Sequence, residues 1–403
     1  MSSNKKIIHV LMILMALFLS LMVYLTYFQL FKAPKLAESG QNPRTALKEQ
    51  SIKRGDIVSA DGEKLAYSEF DGDRQIRNYP YGSLYSHVIG YSSQTYGKSM
   101  LENSYNGYIM GTGFSNQIFN LKQYISGEKK EGANLTLTID HKLQKKAAEL
   151  MNGKNGAVVA INPKTGATLA LLSNPSYDTN EKSLKENWAK LAESEDSVFL
   201  ARATSGLYAP GSVFKTVTAA SAVENRLDDM KFEDNGSVYV DSHEFKNYGG
   251  KKHGNIDIYQ GFAVSSNVVF VTLADKLGYS KLSATAKNFM IGEKINYDVP
   301  LQTGQILKDN KKTNVAAVGM GQGDLLVTPM NMALVASAIA NDGQMMAPYL
   351  VESADLSNGY NVYAHKSEVL SQATDNETAE KVKKMMEKCV ESGTGTSASV
   401  SGV

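Results

Sequence analysis

The chain has 403 residues, 42% of them hydrophobic and 21% charged, a composition that fits two or three globular domains and excludes a chain dominated by disorder. Its 42 Lys and Arg nearly balance 41 Asp and Glu, for a net charge of +1, so no basic footprint for nucleic acid exists. A single cysteine, Cys389, excludes an internal disulfide, and six scattered histidines offer no metal-ligand spacing, so neither a metal nor a cofactor is expected.

From Ile7 to Phe31 the sequence carries no Asp, Glu, Lys or Arg. A helix of about 25 residues covers roughly 37 Å, enough to cross a hydrocarbon core of roughly 30 Å with some tilt. Gln29, Leu30, Phe31 and Lys32 lack the small residues of a cleavage site, so the segment reads as an uncleaved anchor. Lys5 and Lys6 precede it, and Lys32 and Lys35 follow. The balance points to a cytoplasmic tail at 1–6, a single pass through the plasma membrane at 7–31, and an extracytoplasmic remainder.

Residues 32–50, with Pro34, Gly40 and Pro43, read as a linker. Over 51–130 the chain is rich in Tyr, Gly, Ser and Asn. Asp61-Gly62 between short apolar runs signals a hairpin, and the stretch reads as a small non-catalytic α/β module. A second domain, 131–403, is expected to open with a strand through Leu135, Leu137 and Ile139 and a helix from His141 to Met151. A hairpin follows, Ala157 to Ile161 and Ala167 to Leu172, turning through Asn162 to Gly166. The rest reads as mostly helical, with helices over Phe214 to Asn225, Val268 to Leu277, Pro329 to Ala340 and Thr378 to Val390. Asn225, Gly278 and Asn341 stand where helices stop. The class is α/β (α+β), strands early and helices after.

Ser212 and Lys215 stand at the start of one of these helices, in the run Tyr208 to Lys215. A serine in a first turn has unpaired N–H groups and the positive end of the helix dipole beside it, which suits a developing oxyanion. A lysine three residues on shares its face and, desolvated, can serve as the base a serine nucleophile needs. Alone the pattern is weak, because Ser2 to Lys5 and Ser126 to Lys129 repeat it. Ser265 and Asn267, flanking one residue before an apolar run, strengthen it: a hydroxyl there can relay a proton, and a carboxamide can hold a substrate amide or the base. Taken singly, that pair is an ordinary Ser/Asn helix cap. Cys389, with no His or Asp constellation near it, reads as structural.

S-x-x-K followed by S-x-N resembles the motif set of penicillin-binding proteins and class A β-lactamases. Arg54-Gly55 through Asp61-Gly62 and Leu65-Ala66, Tyr79-Pro80, and His87 to Tyr91 are similar to membrane-proximal segments of class B penicillin-binding proteins, the monofunctional transpeptidases. Leu135 to Gln144, Gly156 to Tyr177, Arg202 to Lys215 and Gly319 to Gly343 resemble successive blocks of their penicillin-recognising transpeptidase domain. The resemblance implies a peptidoglycan D,D-transpeptidase of the penicillin-binding, β-lactamase-like fold. Ser212 would attack the penultimate D-alanine carbonyl of a stem peptide and contribute its N–H to the oxyanion hole. Lys215 would take the proton, Ser265 would pass one to the leaving D-alanine, and Asn267 would hold the substrate backbone. β-Lactams would acylate Ser212. A glycan polymerase and proteins of a division or elongation complex are partners by resemblance only. A membrane-anchored penicillin-binding sensor or scaffold, and a β-lactamase-type hydrolase, share the same pair.

The family's third motif, Lys-Ser/Thr-Gly, finds no match in the expected place. Lys164-Thr165-Gly166 lies upstream in the turn of a hairpin, and Ser392-Gly393-Thr394 follows Glu391 instead of a lysine. The reading is therefore of a sequence truncated before that motif, with an incomplete sheet. The 403-residue chain is expected to hold no stable acyl-enzyme with a labelled penicillin, whereas a chain extended through the missing strands should label at Ser212. Robust labelling of the shorter chain would overturn that expectation.

Overall fold

The computed structural model describes residues 2–28, 52–72, 74–112, 131–307 and 309–401. The expected linker at 32–50, the last three residues of the expected span and residues 113–130 of the expected small module, with the Ser126 to Lys129 pattern, lie outside them. Helix α1, Ser2–Tyr27, takes in residues 7–27 of the apolar run; Ile7–Tyr27, with a mean hydropathy of 2.5, is long and apolar enough to cross a membrane by length and composition.

After α1 come β1 (Ile57–Val58), β2 (Lys64–Asp71), β3 (Arg74–Asn78), the small pair β4 (Ser92–Ser93) and β5 (Gly97–Lys98), and short helices α2 (Met100–Ser104) and α3 (Asn106–Ile109). The hairpin signalled by Asp61-Gly62 joins β1 to β2, antiparallel. Strand β6 (Asn134–Leu137) follows, then α4 (His141–Met151), whose N-cap Asp140 accepts from the Leu143 N–H. Strands β7 (Gly156–Ile161) and β8 (Thr168–Asn174) form the expected hairpin and, among the described residues, pair only with each other. Helices α5 (Glu181–Ala192), α6 (Arg202–Ser205), α7 (Lys215–Glu224), α8 (Ile258–Ala263), α9 (Asn267–Asn288), α10 (Lys312–Gly319), α11 (Pro329–Ala340) and α12 (Asn376–Ser392) make up the helical part. Asn225 and Asn341 do end α7 and α11, and Gly278 breaks α9 with a φ of +70°, a conformation a side chain would strain.

Two features depart from the sequence reading. The helical part is interrupted by β9 (Lys231–Asp234), β10 (Ser237–Val240), β11 (His243–Lys246) and β12 (Gly254–Asp257), and later by β13 (Gln344–Met346), β14 (Val351–Asp355), β15 (Asn361–Ala364) and β16 (Val369–Gln372). Strands of three to five residues complete too few periods to stand out in a sequence. The largest sheet, ordered β15-β14-β6-β1-β2-β3, also crosses the division drawn at residue 130/131. Strand β6 pairs in parallel with β1 and antiparallel with β14, so residues more than two hundred positions apart in sequence share one sheet. The core is correspondingly continuous: Ile57, Leu65, Leu101 and Leu135 belong to the same buried cluster as Phe214, Phe270 and Leu334.

Helix α7 is the centre of the helical part, buried from Lys215 through Val223. Its small residues, Ala219, Ala220, Ser221 and Ala222 among them, let neighbouring helices approach on every side. The hydroxyls this buries are satisfied: Thr218 donates to the Gly319 carbonyl at 2.9 Å, and Thr285 donates to Ser221 Oγ at 3.1 Å.

Candidate active site

Ser212 lies in a 3-10 turn, Gly211–Phe214, that leads without interruption into α7. The turn is clamped from outside: the Gly211 N–H donates to the Gly321 carbonyl at 2.8 Å, and a Cβ on Gly321 would stand 1.8 Å from the Gly211 oxygen. The close approach therefore requires glycine at 321, whose φ is +86°, while Gly211 has space for a Cβ and is favoured by its φ of +60° alone. Ser212 itself is exposed, while Phe214 anchors the turn in the core. The expected position in a first turn, with N–H groups lacking intrahelical acceptors, is met by this 3-10 geometry.

Lys215 is 2% exposed, and burial pulls its ammonium down to about 8. Its Nζ donates to the Ser265 carbonyl at 2.8 Å, to Ser265 Oγ at 3.1 Å and to Asn267 Oδ1 at 2.8 Å, using all three of its N–H bonds. The Phe270 ring adds a face 5.4 Å away. The four residues singled out in the sequence are thus brought together around Lys215, with one difference from the expected geometry. No hydrogen bond joins Ser212 to Lys215 among the described residues: the lysine is turned inward to Ser265 and Asn267, while the serine is exposed. Such contacts are commonly loose before substrate binds.

Ser265 and Asn267 occupy the tight turn between α8 and α9. Ser265 has a φ of +58°, a left-handed conformation that costs a non-glycine residue of order 1 kcal/mol. The turn is fixed by the Ser265 N–H donating to Phe262 O at 3.0 Å and the Ser266 N–H donating to Gly261 O at 2.8 Å. Ser266, between the two, is the residue that caps α9, its hydroxyl accepting from the Val269 N–H. The capping role that the sequence left open for this segment therefore falls to Ser266, which frees its neighbours to face Lys215.

Beneath the turn stands a group the sequence reading did not name. Asp234, fully buried at the end of β9, accepts from Asn247 and Ser266, and Asn247 in turn accepts from the Asn267 N–H. Asp234-Asn235-Gly236 is legible as a turn signal, but its pairing with residues on later elements is not.

The two segments set aside as candidates for the lysine motif have their own places. Lys164, in the hairpin turn, is exposed and sits 3.6 Å from Asp342. Gly393 packs on the end of α8, where a Cβ would meet the Ala263 oxygen at 2.2 Å, and the Thr394 N–H donates to that oxygen at 2.9 Å. The Gly393–Gly395 segment thus lies two residues along the backbone contact from Ser265. Cys389 supports it by accepting from the Gly393 and Gly395 N–H groups at 3.0 Å each. No cluster of metal-ligating side chains occurs among the described residues.

Residues 156–403 match the family model described as the penicillin binding protein transpeptidase domain, and residues 54–135 match the penicillin binding protein A dimerisation domain. The chain is 34% identical over 379 residues to the peptidoglycan D,D-transpeptidase PbpA of Mycolicibacterium smegmatis, covering 87% of this chain and 75% of that protein. It is 26% identical to the peptidoglycan D,D-transpeptidase MrdA of Acinetobacter baumannii, over 80% of this chain and 54% of the relative. Among solved structures, it superposes on the imipenem acyl-enzyme complex of penicillin-binding protein A from M. tuberculosis with a TM-score of 0.82 and 28% identity, covering 85% and 83% of the two chains. The D,D-transpeptidase domain of a peptidoglycan glycosyltransferase from Eggerthella lenta gives 0.79 and 32%, covering 88% and 85%.

Proposed function

The chain belongs to the penicillin-binding protein transpeptidase family, and from that premise we propose that Ser212 is the residue acylated in its reaction and Lys215 the base that activates it. The protein is a peptidoglycan D,D-transpeptidase, acting on stem peptides that end in D-Ala-D-Ala and binding β-lactams. The observation that carries the assignment of residues is the convergence of Ser265 and Asn267 on a buried Lys215 one helical turn from Ser212.

The chemistry follows from what each group can do. With its affinity for protons lowered to about 8, Lys215 is neutral in about a tenth of molecules at pH 7, enough to accept the Ser212 proton as Oγ attacks the carbonyl of the penultimate D-alanine. The developing oxyanion meets the Ser212 N–H at the start of the turn, where no helical acceptor competes for it. As the C–N bond breaks, the proton on Lys215 Nζ passes to Ser265 Oγ, already within 3.1 Å, and the Ser265 proton passes to the departing D-alanine amine. Asn267 fixes Lys215 through Oδ1 and keeps one amide N–H for the substrate backbone. An amine from a neighbouring stem then attacks the acyl-enzyme, losing its proton back along the same path and restoring Ser212.

We place a membrane-proximal, non-catalytic module at 51–130 and the transpeptidase domain at 131–403, supported by the family matches at 54–135 and 156–403; one sheet joins the two. Helix α1 serves as a single-pass anchor with residues 1–6 in the cytoplasm and the enzyme outside the plasma membrane, where a glycan polymerase and other cell-wall assembly proteins would meet it. Incubating the chain, extended through the strands of the Lys-Ser/Thr-Gly motif, with lipid-linked glycan strands should yield cross-linked stems and release D-alanine. Release of the stem acid without cross-links would instead mark a hydrolase, and no acyl transfer at all would mark a sensor or scaffold.

A further inference from the structure

The Ser265–Asn267 turn is held from behind by a buried polar network that the reaction itself does not use. Asp234, with none of its surface exposed, accepts from Asn247 Nδ2 on both carboxylate oxygens, at 2.8 and 2.9 Å, from Ser266 Oγ at 2.7 Å and from the Gly236 N–H at 2.9 Å. No cation pairs with it among the described residues. Its four hydrogen bonds all come from neutral donors, and two of the donating side chains lead directly to the site.

Asn247 is the link. Its Nδ2 is spent on Asp234 and on the Lys251 carbonyl at 2.8 Å, which orients the amide so that Oδ1 faces the start of α9. There Oδ1 accepts from the Asn267 N–H at 2.8 Å and from the Val268 N–H at 3.1 Å, two of the donors a helix start leaves without partners. The preceding residue completes the grip: the Lys246 carbonyl accepts from Asn267 Nδ2 at 2.8 Å. Asn267 is therefore fixed at its backbone and at its amide nitrogen, which leaves Oδ1 directed at Lys215 Nζ. Ser266 contributes the second link, donating to Asp234 while it caps α9, directly between a left-handed Ser265 and Asn267.

We infer that Asp234 and Asn247 are positioning residues of the transpeptidase site, setting the conformation of the Ser265–Asn267 turn and through it the placement of Lys215 for acylation. The inference rests on the assignment of Ser212 and Lys215 made above. Neither residue touches the substrate or the reacting atoms. Their part is to hold a strained turn in one arrangement, because a shift of about 1 Å in such a group can cost about 100-fold in rate.

The test uses the chain extended through the strands of the Lys-Ser/Thr-Gly motif and compares it with its Asn247→Ala, Asp234→Asn, Asn247→Asp and exchanged Asp234→Asn/Asn247→Asp variants. Acylation by a fluorescent penicillin is resolved into the binding constant and the first-order acylation rate, expressed per folded molecule from circular dichroism. Each single change is expected to lower the acylation rate by about 100-fold with little change in binding. The exchange restores a carboxylate facing an amide, with a carboxylate oxygen at position 247 accepting from α9, and should recover most of the rate. Ser266→Ala, which loses a cap worth about 1 kcal/mol and so leaves a folded protein, should lower the rate by about tenfold. A purely structural network predicts otherwise: unfolding midpoints fall, but the rate per folded molecule stays within about threefold of wild type in Ser266→Ala and in every folded variant. That result, or an exchanged pair no faster than either folded single change, would overturn the inference. Absence of Ser212 labelling in the wild-type protein would instead strike at the assignment beneath it.

Discussion

Lys215→Met is expected to cut acylation at Ser212 by about 100- to 10,000-fold, the range a positioned general base contributes, and at the same time to make the protein more stable. The two effects share one cause. Lys215 lies almost wholly out of water, and burial draws its ammonium from 10.5 down to about 8. In the unfolded chain the same ammonium is hydrated. Between about pH 8 and 10.5 the unfolded state therefore binds the proton that the folded state has lost, and stability rises with pH across that window. Below about 8 the cost of burying the charged form is complete, on the order of 3 kcal/mol. Methionine fills similar space without the charge, so at pH 7 the variant should unfold several degrees higher. The difference should shrink as pH is raised toward 10.5. Wild-type acylation should climb with pH and level off above about 8, as the base becomes neutral. A destabilised Lys215→Met protein, or one that acylates at the wild-type rate, would contradict both the burial argument and the role of the base.

Glu102→Ala should produce the largest loss of stability within residues 54–135, about 3–5 kcal/mol. Glu102 is fully buried between two guanidinium groups: Arg77 Nε donates to one carboxylate oxygen at 2.7 Å and Arg54 pairs with the other. Tyr79 adds its hydroxyl at 3.1 Å. Burial works to raise the carboxyl, but Arg77 and Arg54 outweigh it and hold it at about 2. Removing the carboxylate leaves two buried positive charges facing each other without a partner. The stabilising contribution is fully present above the ordinary carboxylate range and is lost as pH falls toward 2. Urea unfolding at pH 7 measures the change, with Asp56→Ala at the solvent-exposed Lys64 pair as a reference expected to move stability by less than about 1 kcal/mol. Equal effects from the two substitutions would show that the buried triad does not hold the module together.

How much of this was legible in the sequence depended on the range of the interactions. The apolar run of α1, the Asp61-Gly62 turn, the β7–β8 hairpin and the helix stops at Asn225, Gly278 and Asn341 are written in adjacent residues, and the structure places them where local chemistry put them. Ser212, Lys215, Ser265 and Asn267 were legible as two short motifs, and their convergence needed only that α7 and α9 pack together. Less could be read where partners are remote. Strand β14 closes a sheet begun by β1, and Asp234 acts through Asn247 and Ser266, with nothing in the intervening residues to announce either pairing. The inward turn of Lys215 away from Ser212 was likewise out of reach, because it depends on the left-handed Ser265 that presents both a carbonyl and a hydroxyl to the ammonium.

The central claim is that the transpeptidase acyl-enzyme forms on Ser212. A chain that adds the strands of the family's Lys-Ser/Thr-Gly motif to these 403 residues, treated with a penicillin of known mass, digested and sequenced by mass spectrometry, should carry one adduct, on the peptide containing Ser212, and its Ser212→Ala variant should carry none while remaining folded. An adduct on any other residue, or undiminished labelling of Ser212→Ala, would contradict it.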